Sequence, residues 1–78
     1  MVRLPGGEWL IQTIGEDVVI FRQYTEEELV RFPMNDANRA AQAQKVIFDS
    51  NLLTDEQKCF AHFWSGYFLA SYRYNHMN

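Results

Sequence analysis

Seven of the chain's twelve aromatic residues fall between Phe60 and Tyr74, in the stretch FAHFWSGYFLASYRY. The spacing predicts a helix, and its apolar arc covers more than half of the circumference. Such a helix has to bury a second surface, either inside a crowded small core or against another molecule. That excess of rings constrains the fold more than any other segment, because no catalytic or ligand signature accompanies it.

The total length bounds the rest. Seventy-eight residues support one domain and one core, since a chain of this size buries only about 60–65% of its unfolded surface. With 47% hydrophobic, 15% aromatic and 22% charged residues, the composition is globular; disorder would need fewer rings and a larger charge imbalance. The net charge of -3 is too weak to imitate a polyanion and has the wrong sign for easy phosphate binding. Cys59 stands alone and cannot close an intrachain disulfide, so a reducing cytoplasm is the expected home. MVRLPGGEW offers no signal-peptide core, and no apolar run approaches the ~20 residues of a membrane span, so a soluble protein without membrane association is expected. Small folds lacking disulfides and metals often gain stability by oligomerising, which makes a homodimer an economical explanation for the surplus rings.

Along the chain, Pro5-Gly6-Gly7 reads as a turn, and Trp9 to Ile14 and Val18 to Tyr24 read as two strands of a hairpin about Gly15-Glu16-Asp17. A two-residue Gly15-Glu16 turn would set Ile14 opposite Asp17, Gln12 opposite Val19, Ile11 opposite Ile20 and Leu10 opposite Phe21. Both faces are then apolar, with Leu10, Ile14, Val19 and Phe21 on one and Trp9, Ile11, Val18 and Ile20 on the other. Two strands alone do not hold together, so helices are expected over one face.

Thr25-Glu26-Glu27-Glu28 matches a capping box and predicts a short helix that Pro33 stops. Asn35 or Asp36 caps a second helix running to about Ser50, with Ala37, Ala40, Ala41, Ala43, Ile47 and Phe48 inward. After a short link, the capping box Thr54-Asp55-Glu56-Gln57 opens the aromatic helix, which turns back as an antiparallel partner. The expected fold is α+β: an N-terminal β-hairpin, a short helix and an antiparallel two-helix hairpin (ββααα) in one domain spanning 1–78. On the last helix Phe60, Phe63, Trp64, Tyr67 and Tyr74 share one arc at about 100° per residue, widened by Phe68, and are expected in the core. Leu69 and Tyr72 fall among polar residues, and Cys59, Gly66 and Ala70 form a small stripe suited to the alanine-rich neighbour. The tail from Asn75 to Asn78 has no packing logic and is expected to fray.

Three chemical readings compete with structural ones. Asp55, Cys59 and His62 lie along one helix side at spacings of four and three, but a closed zinc site needs a fourth ligand. The simpler reading has Cys59 in the helix contact, Asp55 as a first-turn charge and His62 in solvent, with no metal. Cysteine catalysis by Cys59 and His62 lacks oxyanion donors and an orienting third group. No catalytic residue, cofactor or metal ligand is therefore assigned, and the chain is read as a non-enzyme. Tyr72-Arg73-Tyr74 is the one local approach to a nucleic-acid pattern, while the other bases are scattered, so nucleic acid ranks behind protein as a partner. Gln44 sits amid the alanines and is expected to hydrogen-bond a tyrosine hydroxyl or the Trp64 indole.

The segment NDANRAAQAQKVIF with LLTDEQKCFAHFWSGYFLASY resembles the helical half of small orphan accessory proteins of tailed bacteriophages. The resemblance covers about half of the chain and brings no catalytic residues. It implies a viral accessory protein in the host bacterial cytoplasm that binds a host or phage protein, regulates a phage gene, or occupies a small place in the virion. Together with the ring surplus, it yields the expectation of a protein-protein interaction module that self-associates, with a nucleic-acid-associated regulator or a small virion structural protein as the alternative. Contact residues are expected at Trp9, Phe68, Leu69, Tyr72 and Tyr74.

Overall fold

The computed structural model describes residues 1–76. Their order is β1 (Val2–Arg3), β2 (Trp9–Ile14), β3 (Asp17–Arg22), β4 (Glu28–Pro33), α1 (Ala37–Asp49) and α2 (Asp55–His76). The fold is α+β, with a four-stranded antiparallel sheet in the order β1-β2-β3-β4. Gly15 at φ +61°, followed by a residue of negative φ, makes the β2–β3 connection a two-residue turn opening on glycine. The expected register follows from it: Ile14 with Asp17, Gln12 with Val19, Ile11 with Ile20 and Leu10 with Phe21.

The sheet has two strands more than the sequence reading gave it. Residues 28–33 pair with β3 as β4, in place of the short helix expected after Thr25. A helix ending before Pro33 would hold too few residues to repay nucleation, whereas Leu29, Val30 and Phe32 are strand formers. Thr25 still accepts a hydrogen bond, but from the Glu27 amide at 3.3 Å, inside a hairpin loop closed by Arg22 N–H donating to Glu27 O at 2.8 Å. Glu26 takes the left-handed conformation there, at φ +56°. Pro33 ends an edge strand, where a missing amide is tolerated. β1 is the second addition: Leu4 N–H donates to Trp9 O (2.9 Å), and the intervening turn passes through Gly6 and Gly7, both at positive φ.

Trp9, Ile11, Val18, Ile20 and Phe32 share one sheet face and form a single cluster with Leu4, Ala40, Ala43, Ile47, Leu53 and Ala61. Both helices therefore cover the same face. Asp36 caps α1, accepting from the Asn38 and Arg39 amides. At the start of α2, Thr54 N–H donates to Gln57 Oε1 (2.8 Å) and Gln57 N–H to Thr54 Oγ1 (3.1 Å), the reciprocal pair that the sequence predicts. Phe48 lies against His62, and Ala37 shares a recess with Tyr72 and Arg73, so contact numbers fall on α1 as they rise on α2 and the helices run antiparallel. Of the expected inner face of α1, Ala40, Ala43 and Ile47 are buried while Ala37, Ala41 and Phe48 are exposed. Asn75 and His76 belong to α2; residues 77 and 78 of the expected frayed tail lie outside the described residues.

The other sheet face carries no helix. Leu10 and Val19 are nonetheless buried, because Arg3 and Arg31 stand directly opposite them. Arg31 is held by Glu28 (2.7 Å) and Asp17 (3.2 Å), and those hydrogen bonds, Glu28 first, raise its pKa above the ordinary guanidinium value.

Candidate functional site

The side of α2 that meets the body of the protein is its small, polar side. Gln57, Ala61 and Ser65, four residues apart, are buried, and Phe68, Leu69 and Tyr72 continue that arc half-buried. Small residues on both helices allow the close approach that Ala40, Ala43 and Ala61 record, and Trp9, Phe32 and the aliphatic side chains fill the space beyond. Gln57 adds a tie from helix to turn, donating from Nε2 to Pro5 O at 2.7 Å.

The rings consequently point outward. Phe60 is 44% exposed, Phe63 64%, Tyr67 56% and Tyr74 83%. This overturns their expected place in the core: the helical wheel located the arc correctly, but the arc faces away from the sheet. The small stripe is reversed in the same way, since Cys59, Gly66 and Ala70 are exposed while Ala61 and Ser65 are buried. Half-buried Trp64 joins the rings into one layer. Phe63 meets it edge-on with centroids 5.5 Å apart, Tyr67 at 5.3 Å, and Phe68 lies 5.9 Å from both Trp64 and Tyr67. Such T-shaped pairs hold one another in place before any partner arrives.

Size and charge set this face apart. At about 200 Å2 per aromatic side chain, the four exposed rings together present roughly 500 Å2 to solvent. Residues 59–72 contain no Asp, Glu, Lys or Arg. Charges collect at the ends of α2, with Asp55, Glu56 and Lys58 at its start and Arg73 in its last turn.

The expected contact residues are spread over three environments. Tyr74 is the most exposed of them. Phe68 and Leu69 pack on the core cluster with their outer edges accessible, and Tyr72 is half-buried and stacked on His76 at 4.0 Å. Trp9 is a correction: at 1% exposure it lies in the core, roofed by the Arg22 guanidinium 4.7 Å from its ring, and has no surface to offer. Phe60, Phe63 and Tyr67 are the residues that the sequence reading placed inside and the structure places on the face.

The neighbouring polar groups serve the fold. His62 Nδ1 lies 3.0 Å from Gln44 Oε1, so Gln44 bonds a histidine where a tyrosine or Trp64 was expected. Exposed Cys59 does not enter the α1 contact that the sequence predicted. Among the described residues no three His, Cys, Asp or Glu are grouped to hold a metal ion, and no helix is long and apolar enough to cross a membrane. No protein-family model, curated protein or solved structure matches this chain.

Proposed function

We propose that this chain is a small non-enzymatic protein-docking module, a phage-encoded accessory protein of the host cytoplasm that binds a host or phage protein through the outer face of α2. One observation carries the reading: Phe60, Phe63 and Tyr67 face solvent from a segment without charged residues, on a helix whose other side packs on the core. Phe, Tyr and Trp concentrate binding energy because each buries a large area at a small rotamer cost.

The magnitude fits docking. Burying roughly 500 Å2 of ring surface yields about 12 kcal/mol gross at 25 cal/mol per Å2, against an association cost of about 4–15 kcal/mol. The rings can drive binding but leave little surplus, so polar contacts at the ends of α2 tune affinity and choice of partner. The test is affinity purification from the native host with the wild-type chain and with Phe63→Ser/Tyr67→Ser as baits. The variant is expected to lose the proteins that the wild type retains; retention of all of them at wild-type levels sinks the reading.

A further inference from the structure

We propose that the aromatic face of α2 takes a second copy of the same chain, packed antiparallel about a two-fold axis level with residue 64, on the side of Phe63 and Gly66. The inference rests on the docking reading above and names the partner. Three independent observations lead to it.

The first is charge. Asp55 and Arg73 are 18 residues apart on α2, which is five turns at 3.6 residues per turn, so both lie on one flank of the helix about 27 Å from each other. In an antiparallel pair related by a two-fold axis, like flanks face each other. An axis midway between residues 55 and 73 passes at residue 64 and sets Asp55, with Glu56 beside it, against Arg73 of the second copy, twice by symmetry. Apart from Lys58, the helix thus carries acidic residues at its start, Arg73 near its end and rings about its centre, a pattern that is complementary to its own reverse.

The second is area. The exposed rings give roughly 500 Å2 on each copy, so their mutual burial alone reaches about 1,000 Å2, the lower bound for a specific interface. The flanks of the helix add to it. α2, with 22 residues, is about 33 Å long, which offers a partner helix about six turns to lie against.

The third is Gly66. Glycine within a helix costs about 1 kcal/mol relative to alanine, and nothing in the chain itself requires it here: a Cβ built at Gly66 meets no atom within 4 Å, and its φ is not in the left-handed range. Gly66 flanks the ring stripe two residues from the axis. In the pair it leaves the backbone bare where the Phe63 ring of the second copy passes.

The test is sedimentation equilibrium on the full chain, with circular dichroism to verify that each variant keeps its helices. The wild type is expected to reach twice the 9.2 kDa chain mass at micromolar concentration. Arg73→Asp should weaken association about tenfold, since it replaces two attractions by two repulsions. Asp55→Arg/Arg73→Asp should recover most of that loss, and Gly66→Leu, which the open space lets the single chain tolerate, should weaken pairing at least tenfold. A monomeric wild type overturns the inference, as does a double reversal no stronger than the single one, or a Gly66→Leu chain that pairs as the wild type does. If the wild type is monomeric while Phe63→Ser/Tyr67→Ser loses a protein that it binds, docking stands and only the second copy is removed; if that variant loses nothing, both fall.

Discussion

At the residue scale, burial and bonding part company at Ser65. Its side chain is fully enclosed on the inner arc of α2, and Oγ has no hydrogen-bond partner. An unpartnered hydroxyl costs free energy in a dry site, and alanine is the better helix former. Ser65→Ala should therefore raise stability by about 0.5–1 kcal/mol, read as a higher urea midpoint at unchanged slope. Gln57 shows the opposite arrangement: it is also buried, but its side chain accepts from Thr54 N–H and donates to Pro5 O. Only its bond to Thr54 was legible in the sequence, because a capping box is local. The bond to Pro5 spans 52 residues and depends on Gly6, whose missing side chain leaves room for the Gln57 amide at 3.2 Å.

Two Thr-x-x-(Glu/Gln) sequences were equally good helix starts, and at the scale of elements they diverged. Thr54 begins a helix of 22 residues, long enough to propagate, whereas Thr25 has only seven residues before Pro33 and a partner strand waiting at Val18 to Phe21. Pairing with that strand satisfies the backbone of residues 28–33 more fully than an isolated turn of helix could. The two threonines should respond differently to truncation. Thr54→Ala removes a cap bond and should cost about 1 kcal/mol, while Thr25→Ala removes one long turn bond and should stay within about 0.5 kcal/mol; equal losses in chemical unfolding would contradict these assignments. The β2–β3 register was legible residue by residue, since a two-residue turn with glycine first leaves one pairing. The orientation of α2 was not. A helical wheel groups residues into arcs without saying which arc the sheet will accept, and here a close-packed sheet and α1 accept the side with alanine and serine. The sequence signal was Gln57, Ala61, Ser65, Phe68 and Tyr72, a second continuous arc that the louder ring stripe conceals.

For the whole molecule, the core and the proposed contact surface use different aromatic residues. Trp9 and Phe32 hold the sheet to the helices, and Phe60, Phe63, Tyr67 and Tyr74 stand outside. Phe32→Ala should cost about 3–5 kcal/mol. Phe63→Ser/Tyr67→Ser, measured below the concentration at which chains associate, should change the unfolding free energy by no more than about 1 kcal/mol. A loss of several kcal/mol from the exposed pair would mean that those rings carry the fold after all. The Arg31 cluster belongs to this scale as well: with Arg31 across from Val19 and Arg3 across from Leu10, charged side chains stand over the open sheet face, whereas the exposed rings gather on α2.

Because α2 turns its plainest residues toward the sheet and its rings outward, mutation can rewrite the rings without first undoing the architecture. On the docking reading proposed above, substitutions at positions 60, 63, 67 and 74 would change what this chain binds, whereas bulky ones at 61 and 65 would act on the fold itself. A lineage carrying this fold could change allegiance in few steps.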